Sequence, residues 1–240
     1  MKDRAGPAGL SRQLEALQQT AELGRDRLDP GTVEQAEALI DKARERLAKG
    51  AEVVVAALAG GTGSGKSSLF NALAGATLAE VGPRRPTTAD ARAWAVGDPS
   101  GSRALLDWLG VKQRHAQPPG PGAPDGLVLL DLPDHDSVEV DHRFVVDRFV
   151  ERVDMLIWVV DPLKYAQRAL HAGYLRALAL HADVMVVVLN RIDQLAPADR
   201  RACRSDLKRL LDAEGLSRTP ILTTSATTGE GVDELRALIA

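Results

Sequence analysis

Cysteine is almost absent from this chain of 240 residues: Cys203 stands alone. That excludes an internal disulfide and fits a reducing compartment. Its surroundings, RRACRSDLKRL, form an amphipathic helical pattern, so Cys203 reads as an ordinary helix residue rather than a reactive thiol. Aromatic residues are scarce at 3%, so aliphatic side chains must fill the core, and a hydrophobic content of 45% is ample for that. Neither sign of charge prevails. The formal net charge of −3 gives no global reason to expect nucleic-acid binding. Long apolar runs are missing too. The longest, VVVAALA and VMVVVL, fall far below the roughly 18 residues that span a bilayer, and the amino terminus has no apolar stretch of signal-peptide length. These absences lead us to expect a cytoplasmic chain of one large domain, or one domain with an appendage.

The first fifty residues carry two helical patterns. Leu10, Leu14, Leu17 and Ala21 recur at spacings of three and four over 10–24. After the break LDPGT, Val33, Ala36, Ile40, Ala43 and Leu47 do the same over 32–49. Together they predict an antiparallel hairpin over residues 1–50. Such a hairpin pads the globular domain or docks on a partner helix, and padding is the better reading.

Beyond Gly50, short β-branched runs alternate with helical segments. Strands are expected at 52–59, 127–131, 155–161, 184–190 and 220–224, with a weaker one at 91–96. Helices are expected at 66–75, 141–152, 163–181, 198–213 and 231–239. Strands that are apolar on both faces belong to a mainly parallel sheet covered by helices, so residues 51–240 predict an α/β domain. Between 96 and 127 lie the helical stretch SRALLDWLG and the loop QPPGPGAPDG.

Directly after the first strand and before the first helix of this domain comes GGTGSGKS, residues 60–67, a G-x-x-x-x-G-K-S pattern. Backbone N–H groups can wrap a phosphate chain only where side chains do not hold it off. Glycine also permits the dihedrals of an anion-binding nest. The helix start then points its positive end at the β-phosphate. Gly61, Thr62, Gly63, Ser64, Gly65, Lys66, Ser67 and Ser68 are the candidate phosphate-binding residues. Lys66 would bridge β- and γ-oxygens, and the Ser67 hydroxyl would ligate Mg²⁺.

Further motifs name the base. NRID, 190–193, ends an apolar strand and resembles the N-K-x-D element of P-loop GTPases. There Asp193 accepts the N1–H and amino group of guanine, which adenine cannot offer. Asn190 would stabilise the loop and touch N7. Arg191 stands where the family has lysine, and its planar guanidinium can stack on the base or ribose. TSAT, 224–227, resembles the S-A-[KT] element, with Ser225 bracing the loop and the Ala226 N–H meeting guanine O6.

DLPDHD, 131–136, resembles D-x-x-G. Asp131 would hold Mg²⁺ through water, but Asp134 replaces the glycine, and a carboxylate near the γ-phosphate is unfavourable unless turned away. His135 falls where many relatives orient the attacking water, with Asp136 as a weaker alternative. In RRPTTAD, Thr88 is favoured over Thr87 as the residue completing Mg²⁺ coordination, and Arg84 and Arg85 are a basic pair near the transition state or in solvent.

Taken together, these stretches resemble the translation-factor class of P-loop GTPases, closest to the Era-like group and its bacterial dynamin-like, YfjP-type cousins. The resemblance spans about residues 52–240. It implies a six-stranded sheet with one antiparallel edge, GTP/GDP and Mg²⁺ as ligands, and switching by hydrolysis. It also implies a homodimer across the nucleotide, and a longer chain reaching a membrane, RNA or the ribosome. Thr62 stands where Ras-like proteins need glycine to admit an arginine finger, and Gly63 where potassium-activated relatives carry asparagine. Slow intrinsic turnover, on the order of 10⁻³ s⁻¹, is therefore expected. A nucleotide-binding interaction module with vestigial hydrolysis is the alternative. A kinase on the same loop would need neither NRID nor TSAT.

Overall fold

The computed structural model describes residues 7–80, 90–134, 149, 152–164 and 178–240. Two helices open the chain: α1 (Pro7–Gly24) and α2 (Pro30–Ala48). Between them, Pro30 starts α2 where a missing N–H costs nothing, and the Asp29 side chain caps it by accepting from Thr32 N at 3.2 Å. The helices run antiparallel, joined by Arg25–Glu37 at 2.7 Å and packed through Leu14, Ala21, Val33 and Ile40. Arg46 ties α2 to the α/β domain. It donates to Asp154 Oδ2 at 2.6 Å, Val53 O at 2.9 Å and Gly50 O at 3.1 Å, while Trp108 Nε1 donates to Glu45 at 2.7 Å.

The sheet then builds from its centre. β1 (Val54–Gly60) pairs in parallel with β4 (Leu127–Asp131) and β5 (Met155–Val160); beyond β5 come β6 (Met185–Leu189) and β7 (Ile221–Thr223). On the other side, β2 (Arg92–Val96) lies antiparallel to β4, and β3 (Gln113–Gln117) lies parallel to β2. The order is β3-β2-β4-β1-β5-β6-β7.

This corrects the expected strand count and edge. Among the described residues there are seven strands rather than six, and two of them, β2 and β3, oppose the other five. QRHAQ has no apolar run to announce a strand. It is recruited because α4 (Pro99–Leu109) carries the chain back across the sheet, and a helical crossover returns a strand parallel to its predecessor. α4 is capped by Asp98, which accepts from Ser100 N at 2.9 Å, and ends at Gly110 in the left-handed conformation. Arg92–Gln113 at 2.8 Å and Trp94–Gln117 at 3.2 Å hold the polar edge strand by its side chains.

Alternating strand residues feed two cores. Val55, Ala57, Val128, Leu130 and Trp158 pack with Leu105, Leu106 and Leu109 of α4 and Leu207 and Leu211 of α5 (Pro197–Ala213). Ala56, Leu58, Leu129, Ile157 and Val188 pack with Leu69, Phe70 and Leu73 of α3 (Lys66–Ala74) and Leu235 and Ile239 of α6 (Val232–Ile239). Each fully buried leucine contributes about 2 kcal/mol. Cys203 is half-buried against the first core. The expected helices at 141–152 and 163–181 lie almost wholly outside the described residues, and a 3₁₀ turn at Ala179–Val184 leads into β6.

Candidate functional site

The C-terminal ends of β1, β4, β5 and β6 converge where β1 passes into α3. Gly60 has a φ of +147°, and a Cβ there would lie 2.2 Å from Val159 O. Gly65 has a φ of +87°, and its Cβ would lie 2.4 Å from Asn190 Nδ2. No side chain among the described residues caps α3, so its first-turn N–H groups are not taken by a capping side chain. Lys66 curls back over this loop, its Nζ donating to Gly60 O at 3.0 Å, to Gly61 O at 3.4 Å and to the carboxylate of Asp134. The ammonium is almost wholly enclosed, with Lys66 5% and Asp134 18% exposed at the side chain. Ser64 is buried in the loop, while Thr62, Gly63 and Ser68 are half-buried.

One residue into α3, Ser67 Oγ donates to Asp131 Oδ2 at 2.7 Å. Asp131 is fully buried at the end of β4, and its other oxygen, Oδ1, has no hydrogen-bond partner among the described residues. Burial raises its pKa; the charge of Lys66, the Ser67 hydrogen bond and Arg92 pull the other way. Arg92 sits directly across the antiparallel ladder from it. A buried carboxylate oxygen without a partner, beside a serine hydroxyl, is the hard oxygen donor set that Mg²⁺ takes. The residues present fit that ion.

On the far side, Asn190 comes directly after β6. Its Nδ2 donates to Ser64 O at 3.0 Å and Gly65 O at 3.4 Å, while its Oδ1 accepts from Thr224 Oγ1 at 3.1 Å. Arg191 adopts a left-handed φ of +63° and donates to buried Asp161 Oδ2 at 3.0 Å. Asp161 Oδ1 in turn accepts from Leu163 N at 2.8 Å. Asp193 stands exposed in the 3₁₀ turn Ile192–Gln194, which is pinned by buried Ile192 donating to Thr224 O at 3.2 Å. Ser225 is buried, its Oγ accepting from Thr228 N at 3.1 Å and its N–H donating to Glu230 O at 2.9 Å. Ala226 is half-buried against the α3/α6 core.

The structure thus brings the phosphate loop, Ser67, Asp131, the 190–193 turn and Ser225 to one end of the sheet. Thr87, Thr88, His135, Asp136, Arg84 and Arg85 lie outside the described residues. Three participants are not evident from the motifs. Asp161 anchors Arg191, and its signal is a carboxylate ending the apolar run MLIWVVD. Thr224 carries the Asn190 bond, although the S-A-[KT] pattern points to the two residues after it. Asp134 faces Lys66 rather than turning away, which no pattern in DLPD foretells.

Residues 55–211 match the family described as 50S ribosome-binding GTPase. The chain is 31% identical over 207 residues to the tRNA modification GTPase MnmE of Azoarcus sp. (strain BH72), covering 84% of this chain and 37% of that one. It therefore spans little more than a third of the length of that curated relative. Its fold is shared with solved structures. An oligomerised bacterial dynamin pair superposes with a TM-score of 0.59 at 16% identity, over 95% of this chain and 42% of that one. Era in complex with MgGDPNP and nucleotides of 16S ribosomal RNA gives 0.56 at 20%, over 78% and 55%. The family match runs from the second residue of β1 to the last turn of α5, more than half of the chain, and the protein belongs to this family of GTPases.

Proposed function

We propose that this chain binds GTP with Mg²⁺ and hydrolyses it slowly to GDP and phosphate, using the change in phosphate number as a conformational switch. One observation carries the reading. Asn190 joins Ser64 O of the glycine-rich loop to Thr224 of TSAT, which supports reading the loops assigned to phosphate and to purine as one site. In that site the 61–67 N–H groups and Lys66 hold the phosphates, and Asp193 accepts the guanine edge. Ser67 and Asp131 would hold Mg²⁺, which would supply positive charge to the phosphates. Thr88 as a further ligand and His135 as the group orienting water rest on the family resemblance. Because Thr62 stands where Ras-like proteins need glycine to admit an arginine finger, turnover should stay at about 10⁻³ s⁻¹ unless a partner completes the site, comparable with other finger-free GTPases.

Residues 1–50 are read as an appendage to the GTP-binding unit 51–240. Among the described residues no helix is long and apolar enough to cross a membrane. A dimer across the nucleotide, or association with a membrane or ribosomal RNA, is proposed by analogy with fold neighbours. These are the membrane-tethering dynamin pair, the RNA-bound Era and chloroplast translocon components whose dimerization matters for GTPase activity. Turnover of the purified chain with Mg²⁺ tests the proposal, alone and with lipid vesicles, RNA or increased protein concentration. Slow, Mg²⁺-dependent phosphate release accelerated by one addition supports the switch. GTP binding without release under every condition favours the second reading, an interaction module with vestigial hydrolysis, for which Asp134 on Lys66 is the motivating contact.

A further inference from the structure

Resting on the reading of 60–67 as a nucleotide site, we propose that Asp134 is a built-in anion that competes with the γ-phosphate for Lys66, biasing the chain toward GDP over GTP.

A lysine ammonium has three N–H donors. Here two are directed at the loop's own carbonyls, Gly60 O at 3.0 Å and Gly61 O at 3.4 Å, and the third meets Asp134. The carbonyl partners belong to the phosphate loop itself. Asp134 is the partner that an incoming phosphate oxygen can replace without dismantling the loop. Its approach decides which phosphate it opposes. The β-phosphate belongs on the loop N–H groups at the start of α3, whereas Asp134 follows three residues after Asp131, the carboxylate that accepts from Ser67 Oγ, so in this reading it opposes the γ-phosphate.

The pair is also shielded. Solvent does not screen it as it would a surface ion pair, because Lys66 is enclosed and Asp134 mostly so. Bringing a γ-phosphate dianion onto the same ammonium requires Asp134 to leave, or places it beside a like charge, with Asp131 already close enough to feel Asp134. GDP has no γ-phosphate and leaves the contact intact. Asp134 is thus a specificity-determining residue, and its expulsion is the step that commits the site to the triphosphate.

The test is the ratio Kd(GTP analogue)/Kd(GDP), measured by calorimetry at fixed Mg²⁺ with a non-hydrolysable GTP analogue. Wild type should show a ratio of about ten or more. Asp134→Asn keeps the shape without the charge, and Asp134→Gly opens the third donor of Lys66. Both should lower the ratio about tenfold, mainly by tightening the triphosphate. Asp134→Glu keeps the charge and should retain at least part of the bias. An unchanged ratio in Asp134→Asn and Asp134→Gly, with guanine nucleotides still bound, overturns this inference alone. No guanine-nucleotide binding by wild type overturns the parent reading and this one with it. Should neither neutral variant fold, the wild-type ratio decides: GTP analogue bound as tightly as GDP refutes the bias.

Discussion

On the base side of the site, Asn190, Thr224, Ser225 and Ile192 form a mostly neutral, buried network in which both ends of the Asn190 amide have partners. On the metal side, Lys66, Asp134, Asp131 and Arg92 crowd opposite charges together. There, Asp131 Oδ1 and Arg92 Nη1 are buried without hydrogen-bond partners among the described residues. Buried polar groups without partners are costly in isolation and are commonly completed by an ion, water or ligand. The two sides therefore teach different things. The base side is preorganised by the fold itself, whereas the metal side holds charge whose balance changes with what is bound.

Breaking the base side should have the largest effect. Asp193 is exposed, so Asp193→Asn should leave the fold intact while reducing GTP affinity about 100-fold and admitting xanthosine nucleotides, which calorimetry with both would show. Asn190→Ala removes the strut between the two loops and leaves buried Ser64 O and Thr224 short of a partner. We expect a loss of about 2 kcal/mol in unfolding free energy by urea titration, with affinity falling roughly tenfold for GTP and GDP alike.

The metal side should respond in the opposite sense. Because burial raises the Asp131 pKa above 3.8, the folded chain binds this proton more readily than the unfolded one. The contribution of this group to stability is therefore fully present below the unfolded pKa and is lost as pH rises through the raised folded value. Asp131→Asn should flatten that part of the stability–pH curve. With magnesium chelated, it should also raise the neutral-pH melting temperature by a few degrees, while abolishing magnesium-dependent tightening of GTP. A lower melting temperature would show that the Lys66 and Arg92 charges outweigh burial. Smallest of all, Arg46→Ala should cost about 1 kcal/mol by loosening α2 from Asp154 and Val53, with nucleotide affinities within about twofold of wild type.

The same contrast governs what the residues reveal by themselves. β1, β4, β5 and β6 are apolar runs, and GGTGSGKS sits between a strand and a helix, so the sheet centre and phosphate loop are legible in the chain. β3 is not: Gln113–Gln117 is polar and becomes a strand only through the α4 crossover and its bonds to β2. NRID and TSAT mark the two loops proposed to meet the base, but not that Arg191 is held by Asp161 or that Thr224 bonds Asn190. Those partners lie 30 and 34 residues apart in the chain and become neighbours only when β5, β6 and β7 align. Asp134 is visible as a departure from D-x-x-G, yet its contact with Lys66 spans 68 residues and depends on β1 and β4 ending together.

The most direct measurement is calorimetric titration of the whole chain with GTP, GDP and ATP in the presence of magnesium. Saturable uptake of both guanosine nucleotides, with ATP weaker by at least about 100-fold, is the predicted result. No uptake of either guanosine nucleotide, or ATP bound as tightly, would contradict the account.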